Sequence, residues 1–251
     1  MSILKVLCEQ KQEYPYCAVF GIMPAIVTDI DDPDKLGRVK VKLLNRDTEE
    51  YETDFIRVMT PMTGQQWGMF FLPEVGDEVL VGFGGGEMER PYVLGALWNQ
   101  NNKPPVTIKN KENNLREIKT KNGHELIFHD KDGEDFIQIN TPQKLEVKLD
   151  DKKQMIFIKE KNNKNMIKID AKNGIVTIEG ENKIDIISGN SRMTLDGSGN
   201  KVNISSEQAI EIKSGQIVLN AKSTLDLKAG GSVNLKSDGA TNIKGAVVKL
   251  N

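Results

Sequence analysis

From Ile158 to Asn251 the chain contains no phenylalanine, tyrosine, tryptophan, proline, cysteine or histidine. All 8 Phe, 4 Tyr, 2 Trp and 9 Pro lie upstream of that point. Without rings a wide core is excluded there, and only a narrow aliphatic one remains. The whole chain has 2 Cys and 2 His and no CxxC pair, which argues against a zinc site built from them. Cys8 and Cys17 are expected as ordinary thiols rather than a disulfide. No apolar run is long enough for a transmembrane helix. The opening MSILKVLCEQKQEYPYC lacks the apolar core of a signal peptide, which predicts synthesis in the cytoplasm without export by that route. The 34 basic and 36 acidic residues leave a net charge of −2, so no global field draws in nucleic acid or anionic lipid.

What fills the ring-free half is a repeat. Apolar pairs at i and i+2 fall at Val176/Ile178, Ile184/Ile186, Met193/Leu195, Val202/Ile204, Ile210/Ile212, Ile217/Leu219, Leu225/Leu227, Val233/Leu235, Thr241/Ile243 and Val248/Leu250. Successive pairs are 7 to 9 residues apart. Alternation at period two marks a strand with one buried face. Glycines such as Gly180, Gly197, Gly215 and Gly230 fall between the pairs, where a bend needs permissive backbone. Short strands copied at a fixed spacing are the signature of a β-solenoid. A period of six and the GGxGxD motif are both absent, which sets aside hexapeptide and calcium-binding helices. One rung is too short to close around itself. Either three successive rungs make a coil, or three chains each give one face of a shared prism; the absence of rings favours the thin prism.

The upstream half is a different all-β text. GIMPAIVTDI is a strand, and DDPDKLG is a turn broken by Pro33 and Gly37. RVKVKLL alternates Val39, Val41 and Leu43 inward with Arg38, Lys40 and Lys42 outward. FIRVMTP, GMFFLP, DEVLVGF and RPYVLGAL add short strands, which together fit a small closed barrel such as an OB-fold. Gly37, Pro73, Gly76 and Pro91 are its expected turn residues. NNKPP follows as a linker.

Three patterns invite sharper readings. HDKDGED offers Asp130, Asp132, Glu134 and Asp135, but it lacks the remaining ligands of a calcium loop and reads as a solvated turn. GFGGGEMERP has three successive glycines with no Lys-Ser/Thr or helix after them, so it reads as a turn between barrel strands rather than a phosphate cradle. Arg38, Lys40 and Lys42 with Trp67, Phe70 and Phe71 are what an OB-fold holding single-stranded nucleic acid would show. That is the alternative function. It gives no reason for the long repeat, and at least one of Phe70, Phe71 and Leu72 must point into the barrel. A solenoid polysaccharide-degrading enzyme is a further alternative, but Glu179, Asp185, Asp196, Glu211 and Asp226 alternate with lysines rather than clustering.

VTDIDDPDKLGRVKVKL, FFLPEVGDEVLVGF and RPYVLGALWN resemble the OB domain of phage baseplate assembly protein V and the VgrG spike. NGHELIFHDKDGEDFIQINT looks like the first β-helical segment of those spikes, and the tail resembles their triple-stranded β-helix. The resemblance implies an all-β chain: an OB-fold barrel, then an intertwined trimeric triple-stranded β-helix, or β-prism needle. The implied boundaries are an N-terminal extension contacting a hub (1–19), the OB domain (20–102), a linker (103–117) and the spike (118–251). It implies a non-enzymatic structural needle of a contractile phage tail, a phage-tail-like bacteriocin or a related injection system, incorporated in a virion or extracellular tail-like particle. The expected partners are two further copies, a hub protein at the barrel end, a PAAR-type tip at the C-terminus and the pierced envelope. No cofactor, metal or nucleic acid is implied. The trimer axis would be lined by Val176, Ile178, Ile184, Ile186, Val202, Ile204, Ile210, Ile212, Ile217, Leu219, Leu225, Leu227, Val233 and Leu235. Val247, Val248 and Leu250 would meet the tip.

Overall fold

A computed structural model describes residues 21–44, 51–108 and 110–249. The N-terminal extension, with Cys8 and Cys17, lies outside the described residues, as does Leu250. The architecture is all-β, and no described helix is long and apolar enough to cross a membrane. Contacts divide the chain into two compact units, 1–178 and 179–251.

In the first unit, β1 (Ile22–Asp29), β2 (Lys40–Leu43), β3 (Arg57–Val58), β6 (Glu78–Phe83) and β7 (Pro91–Ala96) form a sheet in the order β2-β1-β6-β7-β3. Backbone bonds between its ends close it. Val39 and Ile56 exchange N–H···O bonds of 3.0 and 2.8 Å, and Thr53 N–H donates to the Val41 carbonyl at 2.9 Å. The result is the small barrel expected from the alternation. Ala25, Val27, Val39, Val41, Leu43, Ile56, Val79, Val81 and Val93 fill it, with Met23, Val58, Leu72 and Phe83 packed against them. Valine suits this space because its branched Cβ packs on a pleated surface without demanding the width of a ring. Each such burial is worth about 1.5–3 kcal/mol relative to exposure.

The DDPDKLGR turn is tied by Asp32. Its carboxylate accepts N–H bonds from Asp34 (3.1 Å), Leu36 (2.9 Å) and Arg38 (3.3 Å), and the Arg38 guanidinium through Nε (3.0 Å) and Nη2 (2.6 Å). Gly37 sits at φ +69°, where a side chain strains the backbone. Gly76, at φ +94°, donates its N–H to Val27. Pro73 lies in the loop before it, and Pro91 stands as the first residue of β7, opposite Phe83, where a strand tolerates a missing N–H. Gly84–Gly86 make a single 3-10 turn between β6 and β7.

GMFFLP is not the strand the sequence predicts. Its Gly68 closes a small hairpin, β4 (Thr63–Gly64) with β5 (Trp67–Gly68), and Met69–Pro73 carry no strand. The Met69 backbone is already spent locally, donating to the Met62 carbonyl at 3.0 Å and accepting from Thr60 Oγ1 at 2.6 Å. Of the three consecutive apolar residues, Leu72 is the one that packs on the core, whereas Phe70 and Phe71 are 78% and 65% exposed.

After the barrel, β8 (Leu115–Lys119) begins inside the stretch read as linker. With β9 (Glu125–His129), β10 (Phe136–Asn140), β11 (Glu146–Asp150), β12 (Met155–Lys159), β13 (Met166–Asp170) and β14 (Ile175–Glu179) it forms a seven-stranded sheet in sequence order. From β8 to β13 its ladders are antiparallel. The turns are carboxylate-wrapped: Asp150 accepts from Lys153 N–H and Asp170 from Asn173 N–H, each at 3.0 Å. Glu160 accepts from Asn162 (2.7 Å) and Lys164 (2.8 Å).

In the second unit, β15 (Lys183–Ser188), β16 (Ser191–Asp196) and β17 (Lys201–Ser205) form an antiparallel meander, joined first by a Gly189-Asn190 hairpin. The sequence predicts further strands at Ile210/Ile212 and each later pair. The described chain has none between 206 and 249, and residues 207–249 are exposed throughout. A strand needs a hydrogen-bonding neighbour, and within one chain this segment has none.

Candidate assembly interface

The seven-stranded sheet has two unlike faces. On one, register aligns Phe128, Ile137, Leu149, Ile156 and Ile169 in a row across neighbouring strands. Beside it runs a second row of Ile118, Leu126, Ile139, Val147, Ile158 and Ile167. Most of these side chains are exposed; Ile139 is 50% and Ile158 48% open to solvent. The second unit repeats the pattern with Ile184–Leu195–Val202 and Ile186–Met193–Ile204. An apolar face this continuous on a single-layer sheet is unfinished structure, since a sheet gains its stability by covering one face.

The opposite face is finished. Lys119 Nζ reaches Glu125 at 2.7 Å, Asn140 Nδ2 donates to Glu125 at 2.9 Å, and Gln138 Nε2 donates to Asn140 Oδ1 at 2.8 Å. Lys159 and Lys148 continue the network to Glu146 (3.4 Å) and Asp150 (3.4 Å). The hydrogen bond from Lys119, and then that from Asn140, hold the Glu125 carboxyl below the usual range. Burial pushes Asp150 up, but the Lys153 amide and the Lys148 ammonium outweigh it and hold the carboxyl low. The rings sit here as well: His129 stacks on Phe136 with centroids 4.7 Å apart, and Lys148 Nζ lies 3.9 Å above the Phe136 ring. This face has its charges paired and its rings stacked or capped within the chain.

The sequence-derived axial residues fall on this pattern as far as strands extend. Val176 and Ile178 lie in β14, Ile184 and Ile186 in β15, and Val202 and Ile204 in β17. Ile210, Ile212, Ile217, Leu219, Leu225, Leu227, Val233 and Leu235 lie in the exposed segment without strands, as do Val247 and Val248. The stripe from Ile118 to Ile169 is missing from that set, although ELIFH, FIQIN, LEVKL, MIFIK and MIKID carry the same alternation. Interspersed Phe, His and Met obscured it.

The stripe of Arg38, Lys40 and Lys42 and the trio of Trp67, Phe70 and Phe71 do not share one groove. Arg38 is held by Asp32 and Asp34, which keep its guanidinium firmly protonated, and it lines a groove with Phe55, Arg57 and Tyr92. Trp67, Phe70 and Phe71 line another, with Leu36, Met59 and Met62. Lys40 and Lys42 line neither groove; Lys40 Nζ stands 5.0 Å from the Phe55 ring centroid. Glu134, in the HDKDGED turn, is taken up by Lys131 (3.1 Å) and Lys152 (3.4 Å), which draw its carboxyl below the usual range. Among the described residues no group of three or more His, Cys, Asp or Glu is placed to hold a metal.

Barrel, one-faced sheet and repeat tail together define an all-β protein whose most distinctive surface is an uncovered sheet face rather than a pocket. The comparisons then narrow the class. Residues 23–98 match the family of the Type VI secretion system/phage-baseplate injector OB domain, a span that coincides with the closed barrel. The chain is 26% identical over 198 residues to the actin cross-linking toxin VgrG1 of Vibrio cholerae, covering 76% of this chain and 16% of that protein. It is 30% identical over 141 residues to the Type VI secretion system spike protein VgrG5 of Pseudomonas aeruginosa, covering 51% of this chain and 18% of that protein. With spike protein VgrG2a of Pseudomonas aeruginosa it shares 35% over 78 residues, or 30% of this chain and 9% of the relative. These matches bear out the resemblance to VgrG-like and protein V-like baseplate spikes. The chain spans less than a fifth of the length of each of these three relatives.

Proposed function

We propose that this chain is one of three identical strands of a central spike in a contractile phage tail, tailocin or related injection system. The observation that carries this is the bare aliphatic face of the β8–β14 sheet, opposite a face whose charges are already paired. Three copies packing these faces inward make a closed prism with a dry axis and no fourth layer. The sheet's meander supports this over a single-chain coil, because its strands pair with their sequence neighbours instead of winding round an axis. The repeat continues the same alternation: the nine apolar pairs after β14, as rungs about 4.8 Å apart, extend such a prism by about 43 Å.

The work of such a needle is mechanical. Backbone ladders, within each chain in the sheet and between chains in the tail, resist bending around a dry core while contraction drives the trimer through the target envelope. No side chain is assigned chemistry. A hub protein at the barrel end and a PAAR-type tip against Val247, Val248 and Leu250 are the partners this reading names. It is tested by light scattering on the purified chain, which gives three times 28.0 kDa if the reading is right. A well-folded monomer at micromolar concentration overturns it.

A further inference from the structure

We infer that the β8–β14 sheet is the register-setting surface of the assembly: a preformed template on which copies of this chain align before the repeat tail winds. The inference rests on the proposed trimer and goes further, assigning the two halves of the needle different tasks.

Two observations lead there. First, the sheet is built within one chain, whereas residues 207–249 make no strand pairing of their own and expose every residue. The sheet is therefore ready to bind before the tail has any structure, and the tail orders only against its neighbours. Second, the tail is ambiguous about alignment. Its apolar pairs recur every 7 to 9 residues, so a slip of two repeats again sets aliphatic against aliphatic. The sheet carries a landmark. Its apolar face opens with residues found nowhere in residues 207–249: Arg116, paired to Asp130 at 2.7 Å, stands opposite the ring of Phe128. A slipped copy would set Phe128 against a small aliphatic and the Arg116 charge against an apolar row.

The occupant of the face is a second copy of this chain. A cover must be one-faced and aliphatic from Ile118 onward into the tail. The chain itself has that pattern.

The test uses the full chain with Cys8→Ser and Cys17→Ser and a spin label at Ser237→Cys, read by pulsed dipolar spectroscopy. An aligned trimer gives one narrow distance, and a two-repeat slip adds components displaced by about 10 Å. Ile139→Thr with Ile158→Thr weakens the template while keeping β-formers at positions already exposed in the single chain. The expected result is trimer formation slowed about tenfold or more, with a split distance distribution. Leu225→Thr with Val233→Thr, the matched pair in the tail, should leave a single distance and change the rate by less than about threefold. A trimeric parent whose sheet variant keeps one distance and its original rate overturns the inference alone, as does an equal effect of the two double variants. A monomeric parent overturns the trimer itself.

Discussion

The barrel and the sheet that follows it obey the same alternation and reach opposite ends. In the barrel, Val39 and Val41 point inward and are sealed because the sheet closes on itself through Val39 and Ile56. In the β8–β14 sheet, Ile139 and Ile158 alternate as regularly, yet they face water because the sheet stays open. Period two specifies which face is apolar but not what covers it. Closure depends on chain length between strands and on bends such as the Asp32–Arg38 clip, which returns β2 beside β1. Where every connection is a short hairpin, the strands lie down in order, and in the trimer proposed above the cover comes from outside the chain.

The sharpest way to break this comparison is to put a charge on the open face. Ile158→Asp should abolish the trimer, because threefold symmetry buries three carboxylates together. Light scattering should then read 28.0 kDa, with the barrel still folded. Retention of the trimer would mean the aliphatic rows are not the axis. Leu225→Asp, in the tail, should do the same to the lower needle.

The barrel answers differently. Val81→Ala removes two buried methyls from a closed core and should cost about 2 kcal/mol, seen as a lower denaturant midpoint for the barrel with no change in mass. A smaller effect, about 1 kcal/mol, is expected for Gly37→Ala, since φ is +69° there and the new Cβ would stand 3.4 Å from Phe70. The Asp32 clip adds a pH dependence. The Arg38 guanidinium and three backbone N–H groups hold the Asp32 carboxyl below its unfolded value against the opposing effect of burial. Its contribution is therefore complete above the unfolded carboxylate range, near pH 4, and fades as pH falls below it. Asp32→Asn should lower barrel stability at neutral pH and shrink the loss seen on acidification; an unchanged acid limb would remove Asp32 from that role.

How much of this was readable depends on what each residue had to decide. The barrel strands around LGRVKVKL and DEVLVGF were plain, because local alternation and local turns suffice there. The loop Met69–Pro73 was not. Consecutive Phe70, Phe71 and Leu72 look like strand, and only the prior use of the Met69 backbone in a hairpin says otherwise. The sheet's apolar stripe was half visible, because Phe136, Phe157 and His129 sit on the polar face, where a reading by hydrophobicity places them wrongly. The tail's strands were clear as a pattern and absent in the single chain, since pairing there requires a neighbour.

The smallest expected effect tests which face points outward. Lys119→Ala deletes the cation that reaches Glu125 at 2.7 Å, yet 41% of the Lys119 side chain is exposed, so solvent screens the pair. If that face stays in water after assembly, the change should leave the trimer's denaturant midpoint almost unmoved. Asn140 still donates to Glu125 at 2.9 Å, and water supplies the rest. If the charged face turned inward instead, three Glu125 carboxylates would lose their counter-ions in a dry core, costing about 3 kcal/mol or more. Denaturant midpoints of the two trimers separate these cases. Indifference to Lys119→Ala beside loss of assembly in Ile158→Asp fixes the orientation of the sheet, and the reverse pattern would turn the prism inside out.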